Sequence, residues 1–163
     1  MSEKMLYISK EDCQKRGYVK RNGMYYRLTV LERYLERGWL DFGNRDYSDQ
    51  DRFAAGEELL EDFQKCRFAG AKSSNFGRER VDGTPLPQSE LESVCRARDR
   101  YFAKVRQIPA EFWPMVRLVC LENEEPDIAE NVPARRRAEM LFAAKQDLCR
   151  GLDRLIEYKI KCK

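Results

Sequence analysis

The stretch from Pro133 to Lys163, PARRRAEMLFAAKQDLCRGLDRLIEYKIKCK, constrains the fold more than any other part of the chain. Leu141, Leu148, Leu152, Leu155 and Ile156 recur at steps of three, four and seven, which draws one apolar stripe along a helix. Pro133 suits the start of that helix, where its missing N–H has no intrahelical partner to lose. Charge is the second constraint. Arg135, Arg136 and Arg137 crowd the beginning, Lys145 follows, and Arg150 and Arg154 repeat one turn apart, away from the stripe. A helix built this way packs one side on a core and offers the other to a polyanion or an acidic partner.

The remaining composition limits what that helix packs against. At 163 residues the chain can bury one sizeable core, or two small subdomains sharing one. With 42% hydrophobic and 36% charged residues it lies outside the disordered class. No apolar run approaches the roughly 18–20 residues that span a bilayer. The opening MSEKMLYISK carries acid early and has no uninterrupted apolar core, so a cytoplasmic protein is expected. A net charge of +3 is mild, so a nucleic-acid footprint has to come from clustering. Cys13, Cys66, Cys95, Cys120, Cys149 and Cys162 form no C-x-x-C pair, and histidine is absent. Reduced structural thiols are expected, with no metal and no cofactor.

Taken in order, Ser9 and Asp12 mark a first short helix ending at Gly17. Asn22-Gly23, between YVKR and MYYRL, predicts a β-hairpin with a type I′ turn. Thr29 and Glu32 form a capping box for a helix that buries Leu31, Tyr34 and Leu35 and stops at Gly38. Ser48 and Asp51 open another, with Phe53, Leu59, Leu60 and Phe63 in helical step and Gly56 predicting close approach of a neighbour. From Arg67 to Gln88 the pattern collapses into a Gly-, Ser- and Pro-rich linker. Ser89 and Glu92 restart a helix with Leu91, Val94, Cys95, Phe102 and Val105 on one side and Arg96, Arg100 and Lys104 on another. Pro109 leads into a further helix packed through Phe112, Trp113, Val116, Val119 and Cys120. An acidic turn, ENEEPDIAEN, precedes the last helix. These spacings predict a mainly α protein, a bundle of about five to six helices with one small N-terminal β-hairpin. Residues 1–66 read as a helix–hairpin–helix subdomain, 67–88 as a linker or long loop, and 89–163 as a helical subdomain.

Catalytic signatures are missing. Without histidine the commonest general base is gone, and there is no phosphate loop, nucleophile elbow or zinc-binding helix. Pro126-Asp127 with Glu157-Tyr158-Lys159 imitates a nuclease constellation, but on a turn and a helix instead of the strands that chemistry needs. The candidate nucleic-acid contacts are Arg135, Arg136, Arg137, Lys145, Arg150 and Arg154. The arginine fork takes phosphate or guanine bidentately. Secondary basic contacts are Lys20, Arg21 and Arg27 near the hairpin tip and Lys72, Arg78 and Arg80 in the linker. A helix-turn-helix-like arrangement of the last two helices would place the start of the second against base edges, although the connection is long for that motif. The alternative is a protein-binding module that inhibits or redirects a host enzyme, with the aromatics of YVKRNGMYYRL and the linker as interface.

The segments ERYLERGWLD, FAAGEELLEDF and RRRAEMLFAAKQDLCRGLDRLIEY together resemble a bacterial and prophage family carried as a domain of unknown function. Its pattern runs A-G-E-x-L-x-x-D-F, a V-C-containing helix, then L-x-x-A-L-x-x-L-x-x-H-Y. Here these become Ala55–Phe63, Val119-Cys120 and Leu148–Tyr158, with Gly151 for the alanine and Glu157 for the histidine. Members are sometimes fused to a helix-turn-helix, so the resemblance implies a regulatory, DNA-associated role. The sequence reading is thus a non-catalytic regulator of phage or prophage type that binds DNA through its basic last helix. A host protein such as polymerase or a defence enzyme is a further expected partner, and the last helix is compatible with a homodimer.

Overall fold

The computed structural model describes residues 18–21, 24–41, 46–73 and 88–162. Two short strands, β1 (Tyr18–Arg21) and β2 (Met24–Arg27), pair antiparallel with Tyr18 opposite Arg27 and Arg21 opposite Met24. The helices are α1 (Val30–Glu36), α2 (Asp49–Ser73), α3 (Gln88–Val105), α4 (Trp113–Val116) and α5 (Ala134–Lys161). A π-helical turn at Arg117–Leu121 continues α4. The protein is mainly helical. The helix expected from Ser9 and the Asn22-Gly23 turn lie outside the described residues.

Local chemistry sets the ends of α1. The Glu32 N–H donates to Thr29 Oγ1 at 3.1 Å while the Thr29 N–H donates to Glu32 Oε2 at 2.7 Å, so two amides at the helix start find acceptors reciprocally. At the other end Gly38 takes φ +65°, and the N–H groups of Trp39 and Gly38 return to the carbonyls of Tyr34 and Leu35. Ser48 and Asp51 cap α2 in the same reciprocal way, at 2.9 and 3.2 Å.

The acidic turn has a structural use that its composition hides. Asn123, in the left-handed region at φ 57°, accepts the Val30 N–H at 2.7 Å, and Glu125 pairs with Arg33 at 3.1 Å. Residues 122–125 therefore clamp the start of α1. Tyr34 lies beneath this clamp, its hydroxyl pushed up to about 12 by burial and then by the Glu125 charge.

One core joins the two halves of the chain. Val30, Leu31 and Tyr34 of α1 meet Leu59 of α2, Val116, Val119 and Cys120 around the π turn, and Leu148, Leu152 and Leu155 of α5. Burial pushes the Cys120 thiol up to about 12, which keeps it protonated and inert. Two glycines permit this density. A Cβ on Gly56 would lie 2.6 Å from Leu31 Cδ2, the close approach its mid-helix position predicts. A Cβ on Gly151 would lie 2.4 Å from Val116 Cγ2.

Two expectations need correcting. Arg67–Ser73, assigned by composition to a linker, continues α2, because an unbroken helix keeps its backbone hydrogen bonds without further apolar pattern. In α3 the expected inner and outer faces are misplaced. Ala97 is fully buried, whereas Leu91 and Phe102 are 44% and 50% exposed. The side that carries Arg100 and Lys104 packs on α2 through charge. Buried Asp62 accepts from Arg100 Nε at 3.0 Å and Lys104 Nζ at 2.9 Å, and Glu58 pairs with Lys104 at 3.9 Å and with Lys159 of α5. A buried carboxylate has to be matched this way, and the match fixes the rotation of the helix.

Candidate interaction site on the last helix

α5 is continuous but lives in two environments. From Leu148 to Leu155 nearly every residue is buried, and from Ala134 to Met140 every residue is exposed. The buried half is held by an ion pair that sequence reading missed. Arg52, with no exposed surface, donates from Nε to Asp153 Oδ1 at 2.6 Å and from Nη2 to Oδ2 at 3.1 Å. Its Nη1 donates to the Leu40 carbonyl at 2.6 Å, and the Cys149 thiol lies 3.6 Å from that same oxygen. Burial alone would lower the Arg52 pKa; the hydrogen bond and charge of Asp153 outweigh it and hold the guanidinium above its ordinary value. The only trace in the sequence is phase: Arg52 steps with Ala55 and Leu59, and Asp153 with Cys149 and Ile156.

The exposed half stands clear as an arm. Met140 is 45% and Phe142 53% exposed. Pro133 caps the helix without a side-chain hydrogen bond, and no acid sits in the first turn. Continuity with the packed half sustains the arm, since so few turns would be marginal alone.

The six basic side chains of the expected nucleic-acid surface do not share one face. Arg135 pairs with Glu139 at 3.4 Å, and Arg154 with Glu157 at 2.9 Å. Arg137 donates to the Glu130 and Val132 carbonyls. Lys145 sits 3.1 Å above the Trp39 ring, which Arg37 also covers at 4.8 Å. Burial, and then Arg37, lowers the Lys145 pKa. Arg150 lies 6.0 Å from the Phe112 ring centre. Arg136 is exposed at the tip. Around the arginine triplet, residues 122–139 carry Glu122, Glu124, Glu125, Asp127, Glu130 and Glu139 against three arginines, a local excess of acid. Exposed ion pairs are weak, so pairing alone does not remove a cation from a surface; the surrounding acid excess is what opposes a polyanion.

The secondary basic residues are placed less fully. Lys20, Arg21 and Arg27 lie on β1 and β2, and Lys72 in the last turn of α2. Arg78 and Arg80 fall outside the described residues. A helix-turn-helix is not formed by the last two helices: residues 122–133 separate them and are pinned to α1, where that motif uses a turn of about 3–4 residues.

A cleft of about 330 Å³ is lined by Glu58, Arg100, Lys104, Tyr158 and Lys159. Arg100, Lys104 and Lys159 are each engaged with Asp62 or Glu58, so it is part of the ion network joining α2, α3 and α5. Among the described residues no cluster of side chains is arranged to hold a metal ion, and no helix is long and apolar enough to cross a membrane. Cys66, Cys95, Cys120, Cys149 and Cys162 form no disulfide with one another among the described residues.

No family model matches the chain, and no curated protein or solved structure is significantly similar to it.

Proposed function

We propose that the chain is a non-catalytic protein-binding module of regulatory type that engages its partner through the arm, the first half of α5. One observation supports this above the others: the arm leaves Met140 about half exposed on a stretch of helix, Ala134–Met140, in which every residue is exposed. Exposed apolar side chains on a projecting element are stabilised when a protein surface covers them. The exposed acids and arginines around them supply a mixed polar rim of the kind such interfaces have. The resemblance to phage and prophage proteins favours a regulatory setting. Its most specific run, Ala55–Phe63, supplies Ala55, Leu59 and Asp62 to the interior and Gly56 to a helix crossing, so it argues for a packing scheme more than for an activity.

A photo-crosslinking amino acid in place of Met140 tests the reading in cells, with one at Glu61 on exposed α2 as control. Protein adducts formed at Met140 and not at Glu61 are expected; equal labelling at both, or none, defeats it.

DNA binding is the second reading, favoured by Arg135, Arg136 and Arg137 standing together at an uncapped helix start, where free N–H groups and the helix dipole add to their charge. If it holds, R135A/R136A/R137A weakens duplex binding and lowers the salt slope by about one counterion for each phosphate no longer neutralised. Unchanged gel-shift affinity across a salt series excludes these residues.

A further inference from the structure

We infer that the partner of the arm is the same arm of a second copy of this chain, docked antiparallel; this rests on the reading of the arm as a protein-docking surface. The inference comes from one stripe on the side of α5 facing away from the core. Arg136, Met140, Ala143 and Asp147 follow at steps of four, three and four, which keeps them in line on a helix. Arg136 and Ala143 are exposed, Met140 is 45% exposed and Asp147 is half-buried. Unlike Arg135 and Arg154, neither Arg136 nor Asp147 has an ion-pair partner among the described residues.

The stripe is complementary to itself in one orientation only. With a two-fold axis passing between residues 141 and 142, Arg136 of each copy meets Asp147 of the other, and Met140 meets Ala143. Two ion pairs then flank an apolar centre, where the small alanine admits the flexible methionine. A parallel, in-register pairing would set arginine on arginine and aspartate on aspartate, which repel. Charge therefore selects both the partner and its direction. The interface spans about three helical turns, at the small end of specific interfaces, so association in the micromolar range is expected.

The test is sedimentation velocity on the full chain over a concentration series, with circular dichroism confirming that each variant is folded. The wild-type chain is expected to pass from monomer to dimer. R136D and D147R, each turning both pairs repulsive, weaken association by about tenfold or more. Mixing the two single variants restores a dimer, because each then supplies the charge the other lacks, and R136D/D147R restores it in one chain. A monomer at every concentration overturns the inference, as do single reversals without effect or a weakening that neither mixing nor the double variant repairs. The crosslinker at Met140 separates the two levels of the proposal. Adducts of twice the chain mass support self-pairing. Adducts to a different protein with a monomeric chain sink self-pairing and leave the docking arm standing. Absence of any adduct removes both.

Discussion

The two halves of α5 share one backbone and similar residue types, yet they differ in everything that decides stability. Leu148–Leu155 packs against α2 and α4, and its one acid, Asp153, is matched by the buried fork of Arg52. Every residue of Ala134–Met140 is exposed, and its ion pair, Arg135 with Glu139, is solvated. Charge content therefore says little about what a charge does. A buried, bidentate pair fixes how two helices sit, and its removal leaves an uncompensated charge in low dielectric. The exposed pair contributes a few tenths of a kcal/mol at most, typical of i,i+4 pairs on helix surfaces, about 0.3–0.5.

The largest expected effect breaks this contrast if it fails. Asp153→Ala should lower unfolding free energy by about 3–5 kcal/mol, since Arg52 stays buried without its partner. Arg136→Ala on the arm should stay within about 0.5 kcal/mol. Urea unfolding of both measures the difference, and similar losses would show that the arm is packed after all.

Gly151→Ala comes next, with a loss of up to about 3 kcal/mol, because the added methyl meets the stiff β-branched Val116 at 2.4 Å. Gly56→Ala should cost less, since the atom it meets is the movable tip of Leu31. A reversed order in denaturant midpoints would place the tight crossing at α2 instead of α5.

A pH effect sharpens the comparison on the core side. Tyr34 has its folded pKa raised to about 12 from an ordinary value of 10.0. The unfolded chain therefore releases this proton first, so its contribution is complete below about pH 10 and disappears as pH climbs through about 12, on the order of 2 kcal/mol. Tyr34→Phe should flatten that part of the stability–pH curve. An unchanged slope would assign the alkaline loss to other groups, Cys120 among them, whose thiol is raised in the same sense.

The smallest effect belongs to the arm. Ala138→Gly should reduce helical circular dichroism while moving global stability by less than about 0.5 kcal/mol, because the arm frays without opening the core. A full propensity loss of about 1 kcal/mol in global stability would mean that arm and core melt together.

Much of the fold was legible in local signals. The Thr29–Glu32 box, the Gly38 stop, the Ser48–Asp51 start, Pro133 and the close approach at Gly56 each depend on neighbours in sequence or on one missing side chain, and the structure has them where the residues imply. The rotation of α3 was not legible. Its apolar residues Leu91 and Phe102 are about half exposed, while Lys104 is largely covered and Arg100 reaches across to the same acid, because buried Asp62 on another helix demands cations. For the candidate site, the basic residues were visible but their engagement was not: Lys145 is drawn to Trp39 and Arg137 to backbone carbonyls, pairings no spacing rule encodes.

By itself, then, the sequence determined where α1, α2 and α5 begin, where α1 stops and which stripe of α5 is apolar, because caps, turn residues and a 3.6-residue period act over a few neighbours. Tertiary structure alone decided which half of that stripe has a core to bury it, which acid Arg52 would meet, and that the acidic segment after Leu121 would clamp α1. Those outcomes join residues as far apart as Arg52 and Asp153. The energy of a buried charge depends on what surrounds it in space and not on its neighbours along the chain.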